Sequence, residues 1–376
     1  MRPDRNEIVL ADFKGTECSI ISDGLPDRLW MNVEGPTSRT QDWAAIAMVY
    51  PAMFRRQALK IEGAISETLL RYLRDDIQTV LKAYDPRLAR VPVNVEETHR
   101  NREITSRTAT GFSAGVDSFF TLGTHPEITD LTVFNVGAMG KGRPKIFERY
   151  LRRTHDYAAR KGLGAITVDS NLDKIFSAAT CKKVNFQKTH SLRNAAAAMA
   201  SGISNYLYSS GVDYNAVAIQ PHRDTAYLDA VLLPLLSTES LRIHSAGSSY
   251  TRVEKTLFVS ELQDACEMLD VCAGNPTTRF GLSKPNCSKC WKCVETLLTL
   301  EAADRLELFE PVFDIDFYKS NRDELLLDLL IGKHRHDRAA IETFDFARKR
   351  GVHLPNNIQV TLWRLRRHLR RKAATG

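Results

Sequence analysis

Short apolar stretches bounded by polar and turn-forming residues open the chain, at residues 7–10, 18–21 and 29–32, and they predict β-strands. From Ser66 a helical period sets in. Leu69, Leu73, Ile77, Val80 and Tyr84 recur at spacings of three and four, which predicts a long helix with Ser66 as its N-cap. A further strand is expected at 91–95. The polar, charged stretch 96–107 then marks an expected domain boundary, which leaves an N-terminal α+β unit over residues 1–100 with no motif that carries chemistry.

From Thr108 strands alternate with helical segments. Strands are expected at 108–112, 131–136, 165–168, 214–219 and 241–244. Helices are expected at 143–161, with Ile146, Tyr150, Leu151 and Tyr157 on the periodic face, and at 191–208. That order predicts an α/β domain with an open parallel sheet covered by helices, over residues 101–304. Residues 305–376 read as a helical C-terminal extension. Near its end Ile358, Leu362, Leu365 and Leu369 share one face, Arg364, Arg366, Arg367, Arg370, Arg371 and Lys372 occupy the rest, and 355–357 is the expected helix start.

Composition changes this picture in two places. With 376 residues, 43% of them hydrophobic, the chain is long enough for more than one core. Its net charge of +7 is unevenly spread: residues 333–376 hold 12 Lys/Arg against 3 Asp/Glu, and the preceding 332 residues carry 40 basic and 42 acidic side chains. The basic character therefore belongs to the tail. Its helix has two readings, packing on its own domain through the four apolar residues or contact with RNA phosphates or another anionic surface. No apolar run reaches the length of a membrane span, since Pro51 interrupts 44–54 and Pro234 interrupts 228–236. The first seven residues lack the apolar stretch of a signal peptide, so a cytoplasmic protein is expected.

Two constellations carry chemistry. In the first, the strand at 108–112 gives way to Ser113-Ala114-Gly115-Val116-Asp117-Ser118 and then to the apolar Phe119, Phe120 and Leu122. A strand that stops at small residues before a helix presents unpaired N–H groups and a positive dipole end, a setting that attracts phosphate. Ser113 and Ser118 offer hydroxyls, Gly115 lets an anion approach the main chain, and Asp117 suits Mg²⁺ held between phosphates. The spacing is not that of the Walker loop. An ordinary capped helix start is the plainer reading of the hexapeptide alone.

The second constellation is Cys287-Ser288-Lys289-Cys290-Trp291-Lys292-Cys293, three thiols at intervals of three. A turn entering a helix can aim all three at one centre, and zinc then needs a fourth ligand. Cys272 is the expected fourth, and Cys266 is the competitor. An iron–sulfur cluster is the rival occupant, since it also takes four thiolates. Seven cysteines in an intracellular setting argue against a disulfide framework.

The hexapeptide resembles the Ser-Gly-Gly-x-Asp-Ser loop of the PP-loop ATP pyrophosphatases, with Ala114 in place of the middle glycine. Further motifs follow in order. Ser191-Leu192-Arg193-Asn194 resembles a Pro-x-Arg-Asn helix start, 241–247 with Thr251-Arg252-Val253-Glu254-Lys255-Thr256 resembles a strand, loop and helix start, and Cys272 with the triplet resembles a zinc site. Together they resemble the 7-cyano-7-deazaguanine synthase family over residues 108–300. The resemblance implies a Rossmann-like fold of the adenine nucleotide alpha hydrolase type and an enzyme that converts ATP to AMP and pyrophosphate while activating a carboxylate for amidation or ligation. It implies ATP, Mg²⁺ and Zn²⁺ as cofactors. It also implies catalytic roles for Asp117, Arg193 and Lys255, a nucleotide site at Ser113, Ala114, Gly115, Val116, Asp117, Ser118, Phe134 and Val136, and metal ligands Cys272, Cys287, Cys290 and Cys293.

The chain departs from the family where substrate is recognised. The segment 220–225, the loop 137–142 and the 14 residues between Cys272 and Cys287 differ from the family pattern. A different acceptor is therefore expected, a small molecule or a protein terminus. A tRNA-thiolating enzyme and a nucleotide-binding partner without turnover are the alternatives.

Overall fold

The structure is a computed structural model that describes residues 6–100, 104–138, 144–273, 283–332, 334 and 336–373. The chain opens with β1 (Glu7–Lys14), β2 (Glu17–Ile21), β3 (Arg28–Glu34), α1 (Asp42–Arg55), β4 (Ala58–Ser66), α2 (Glu67–Arg74), α3 (Asp76–Tyr84) and β5 (Val93–His99). Next come β6 (Thr108–Gly111), α4 (Val116–Thr124), β7 (Asp130–Asn135), α5 (Pro144–Lys161), β8 (Gly164–Ser170), α6 (Leu172–Ala179), α7 (His190–Ala200), β9 (Asn205–Ser209), α8 (Asp229–Leu235) and β10 (Arg242–Ala246). The remaining described helices are α9 (Arg252–Val259), α10 (Gln263–Met268), α11 (Trp291–Ala302), α12 (Ile315–Ile331), α13 (Arg338–Lys349) and α14 (Asn357–Ala373).

The chain divides into two compact units. One comprises residues 1–113 and 125–248, the other residues 114–124 and 249–376. The first unit holds an open mixed sheet of ten strands in the order β10-β9-β6-β7-β8-β3-β2-β1-β4-β5. The strands from β10 to β8 are all parallel, as expected for the α/β pattern. Strands from both sides of residue 100 share this sheet, in which β3 pairs antiparallel with β8 through Met31↔Ser170 to Glu34↔Thr167. This pairing covers a β8 edge that would otherwise expose a row of unpaired backbone groups.

Three local expectations are corrected. Residues 214–219 are not a strand; they hold a short 3₁₀ turn, Tyr214–Ala216. The strand instead lies inside the expected helix 191–208, where α7 stops at an extended Ser201 and Asn205–Ser209 forms β9. Tyr206 and Tyr208 fit a helical face as readily as a strand, and pattern alone does not separate the two over so short a run. The long helix begun at Ser66, whose side chain accepts from the Leu69 amide at 3.0 Å, breaks at Asp75 into α2 and α3. The apolar stretch 44–54 is α1, a helix buried on nearly every side, and packed against α7.

Asp85 shows how the first unit secures a buried charge. It is 1% exposed and accepts from Tyr50 Oη at 2.7 Å, from Arg87 Nε and Nη2 at 2.8 and 2.5 Å, and from Lys188 Nζ at 3.2 Å. Burial raises such a carboxyl, but the bonds from Arg87 and Tyr50 and the charge of Lys188 outweigh it and hold Asp85 below the usual range. A depressed carboxyl stabilises the fold above its unfolded value near ~4 and loses that contribution as pH falls through its folded value. Asp85→Asn is expected to destabilise the protein by about 3 kcal/mol at neutral pH, with the gap from wild type closing on acidification below about pH 4. Urea unfolding at several pH values checks both parts.

In the second unit α11, α12 and α13 pack through Val294, Leu298, Leu326, Leu329, Ala340 and Phe344. The tail helix does not bury the face expected of it. Ile358, Leu362 and Leu365 are 70%, 53% and 57% exposed, and α14 is tied to α12 through Trp363 Nε1 donating to Asp328 at 3.0 Å. The side chains of Arg366, Arg367, Leu369, Arg370, Arg371 and Lys372 lie outside those described. Among the described residues no helix is long and apolar enough to cross a membrane.

Candidate functional site

The sheet order sets where a ligand would be read. From β6 the chain proceeds to β7 and β8 on one side, while β9 and β10 lie on the other, so the winding direction reverses between β6 and β9. Open α/β sheets take ligands at the carboxyl ends of the strands at such a reversal. The hexapeptide leaves the carboxyl end of β6.

Ser113 is exposed, and its carbonyl accepts from Arg153. Ala114 is left-handed with φ 57°, a conformation that strains a non-glycine residue by roughly 1–2 kcal/mol. Its fully buried methyl offsets about 0.8 kcal/mol of that. The Ala114 carbonyl accepts from the Asp270 amide at 2.8 Å, and the Ser118 hydroxyl donates to the Gly115 carbonyl at 3.0 Å. No acceptor among the described residues takes the amides of Ala114, Val116 or Asp117. The turn therefore carries donors at the positive end of α4, as an anion site requires.

Asp117, in the first turn of α4, is held by two cations from α9. Arg252 Nη2 lies 2.8 Å from Oδ2 and Lys255 Nζ 3.4 Å from Oδ1. Thr251 starts α9 with a reciprocal capping box to Glu254, which fixes the register that presents both cations. Partial burial would raise the Asp117 carboxyl; the charges of Arg252, Lys255 and Lys292 outweigh burial and hold it below its ordinary value. Lys255 is 2% exposed and Lys292 is exposed. Asp117 thus stands among three cations, two of which, Arg252 and Lys292, are also felt by Glu295. Phe120 anchors the pair of helices through Tyr250 and Phe258, with ring centroids at 4.9 and 5.2 Å.

Sequence reasoning assigned roles to Asp117 and Lys255, and the fold brings them together. It assigned none to Arg252, although that residue stands in the segment 251–256 that led to Lys255, nor to Glu295, and it gave Lys292 only the role of offsetting thiolate charge at the cysteine cluster. Glu295 is 5% exposed on α11, and its Oε1 has no hydrogen-bond partner among the described residues. Burial pushes its carboxyl up to about 7, against the charges of Arg252 and Lys292.

Arg193 lies in the first unit and is 2% exposed. Nε donates to Thr189 Oγ1 at 2.9 Å and Nη1 to the Val136 carbonyl at 3.1 Å, while the guanidinium sits 4.1 Å from the Phe176 ring centroid and 3.7 Å from Asp173. Burial lowers it to about 10. The arginine thereby clamps the turn after β7, where Phe134 and Val136 are buried and the Asn135 carbonyl accepts from Ser170. Gly137 makes the clamp possible: its φ is 106°, and a Cβ there would meet Arg193 Nη1 at 2.5 Å. Gly137→Ala is expected to lower stability by at least about 2 kcal/mol in denaturant unfolding. The remainder of the loop, 139–142, lies outside the described residues.

Cys272, Cys287, Cys290 and Cys293 form a cluster whose sulfurs all lie within 4.8 Å of one another. Individual separations are 3.9 Å for Cys287–Cys293, 3.9 Å for Cys272–Cys290 and 3.4 Å for Cys290–Cys293. Sulfurs about 2.3 Å from a tetrahedral zinc stand roughly 3.8 Å apart, so the donor set fits that ion. The turn is built for it. Ser288 is left-handed at φ 56°, its hydroxyl accepts from the Asp314 amide at 2.8 Å, and the Cys290 amide donates to Cys287 Sγ at 3.3 Å. Asn286, which sequence reasoning passed over, accepts from the Val271 amide at 2.9 Å and donates to the Leu269 and Val312 carbonyls at 2.7 and 3.1 Å. It joins the Cys272 segment to the triplet.

Hydrogen bonding with Cys272 leads the shifts in this cluster, holding the Cys287 thiol far down and pushing Cys290 and Cys293 up. Four thiolates at this spacing need a cation. Cys266 is outside the cluster; its sulfur faces the Ser260 carbonyl at 3.9 Å. Residues 274–282 of the spacer lie outside the described residues.

Comparison with protein-family models, with curated proteins and with solved structures finds no match to this chain.

Proposed function

We propose that the chain is an ATP-dependent adenylating enzyme of the PP-loop type, which activates a carboxylate on its acceptor and releases AMP and pyrophosphate in the course of amidation or ligation. The observation that carries this reading is the turn 113–118, with a left-handed Ala114 and with the amides of Ala114, Val116 and Asp117 taken by no acceptor among the described residues, beside an Asp117 surrounded by Arg252, Lys255 and Lys292. Such an arrangement attracts a polyphosphate and carries the carboxylate that Mg²⁺ needs.

In this reading the acceptor carboxylate attacks the α-phosphorus of ATP, the bond to the bridging oxygen breaks, and pyrophosphate leaves. An amine then displaces AMP from the acyl-adenylate. The loop amides with Ser113 and Ser118 hold the β- and γ-phosphates, and Arg252 and Lys255 offset charge that grows on the leaving pyrophosphate. Asp117 would hold Mg²⁺, which supplies neutralisation of phosphate charge. Phe134 and Val136, in the first unit, are the residues that the resemblance assigns to adenine, and Arg193 fixes the turn that follows them. The four cysteines would hold Zn²⁺ in a structural role, since a closed Cys₄ set keeps no open position for substrate.

The test is pyrophosphate release from MgATP with ammonium and lysate fractions that supply carboxylate acceptors. AMP and pyrophosphate in equal amounts, dependent on a fraction, are expected. Turnover to ADP and phosphate, or no turnover with any fraction, would contradict the proposal.

A further inference from the structure

A second polar centre lies wholly within the first unit, away from the loop and the cysteines. His190 and Ser191 open α7, Tyr208 lies near the end of β9, Asp224 and Thr225 lead into the 3₁₀ turn Thr225–Leu228, Asp229 opens α8, and Tyr84 closes α3. Both ring nitrogens of His190 are engaged, Nδ1 with Tyr208 Oη at 2.7 Å and Nε2 with Asp224 Oδ1 at 2.8 Å. Ser191 Oγ reaches Asp229 Oδ1 at 2.5 Å and Thr225 Oγ1 at 2.8 Å, and Asn194 Nδ2 donates to Tyr208 Oη at 3.3 Å. These bonds fix every group but two. Asp229 Oδ2 and Tyr84 Oη, in residues 1% and 0% exposed, have no hydrogen-bond partner among the described residues.

An unpaired buried carboxylate oxygen is costly, and native structures nearly always satisfy it. No Lys or Arg among the described residues forms an ion pair with Asp224 or Asp229; the imidazole of His190 faces both, and that of His222, whose Nδ1 accepts from the Asp224 amide at 3.2 Å, lies beside Asp224. Burial raises the Asp229 carboxyl to about 6 against the influence of His190 and Ser191, and Tyr84, raised first by burial, also feels Asp224, Asp85 and Asp229. Two cations stand at the Tyr84 side, Arg87 and Lys188, the latter with Nζ 5.0 Å from the Tyr84 ring centroid, but both are ion-paired to Asp85, and Asp224 and Asp229 have no Lys or Arg pair among the described residues. The donor atoms of this centre do not gather closely enough to share a metal ion, since among the described residues the cysteines form the group that does.

We propose that Asp229 Oδ2, Tyr84 Oη and Asp224 form a binding site for a protonated primary amine, with the Tyr208–His190–Asp224 chain holding the acceptors in place. An ammonium group brings both the charge the carboxylates lack and several N–H donors for the two unpaired oxygens. A neutral alcohol would leave the charge uncompensated, and an anion would be repelled. The site stands on its own geometry. Its use as the source of the nitrogen that displaces AMP rests on the adenylation reading.

The probe is methylammonium chloride, titrated into the full chain without nucleotide and followed by the ¹⁵N resonances of His190, assigned with His190→Gln. Tetramethylammonium chloride at equal ionic strength matches the charge but has no N–H donor. Saturable shifts with methylammonium, absent with tetramethylammonium and weakened at least tenfold in Asp229→Asn, are expected. Asparagine keeps the Ser191 bond and removes the charge; should that variant fail to fold, Tyr84→Phe removes the other unpaired oxygen and should weaken binding severalfold. Equal responses to the two cations, or no response, would overturn the site and leave a buried water as the partner of both oxygens. Because the titration contains no ATP, its outcome is separate from that of the pyrophosphate assay.

Discussion

Cys287→Ser should yield protein without bound metal and with an unfolded second unit. A structural zinc site contributes on the order of 10 kcal/mol or more in small domains, comparable to the whole stability of a typical fold. The cluster joins two separate segments, the one carrying Cys272 and the one carrying the triplet, and the buried Asn286 that bonds across them cannot replace four metal–sulfur bonds. Cys266→Ser should retain stoichiometric metal and change stability by no more than about 1 kcal/mol, because its sulfur makes only a weak contact at 3.9 Å. Metal analysis with thermal unfolding decides the matter. Colourless wild-type protein with zinc is expected; a brown iron-containing protein would reassign the cluster, and metal loss in Cys266→Ser would break the ligand set.

The second large effect concerns Asp117. Asp117→Asn should reduce pyrophosphate release at least 100-fold, the scale of losing one charged group at a phosphoryl-transfer centre, while the protein remains folded. Asparagine keeps the shape and an acceptor for Arg252. Asp117→Ala should also destabilise by about 2 kcal/mol, since it takes a counter-charge from Lys255, which is 2% exposed. Unchanged pyrophosphate release in Asp117→Asn would reduce Asp117 to a structural tie between α4 and α9.

The parallel strands β6, β7, β8 and β10 were legible because β-branched and apolar runs bounded by turn residues leave few other options. β9 was not, since Asn205–Ser209 follows an alanine-rich helix and its two tyrosines suit either period. Nor was the antiparallel β3–β8 pairing, which depends on contacts across more than a hundred residues that no local pattern encodes. The cysteine cluster could be read from spacing, with Cys272 preferred over Cys266 by position, and the cluster contains the former. The left-handed turn at residue 114 was foreshadowed by the glycine that the resemblance expects there, and Ala114 adopts it. The Arg252 contact with Asp117 was out of reach, because which of several basic residues in 251–256 faces a carboxylate follows from helix register and packing. The tail misled for a related reason. An amphipathic pattern states that a face is apolar, not that anything covers it, and Ile358, Leu362 and Leu365 are exposed.

The account rests on the turn 113–118 holding a nucleotide triphosphate. Isothermal titration of the full chain with MgATP addresses this without any knowledge of the acceptor. Saturable, stoichiometric binding that inorganic pyrophosphate competes away and Asp117→Asn weakens is the predicted result. Absence of any binding heat up to millimolar MgATP, in protein that retains its metal and its fold, would contradict it.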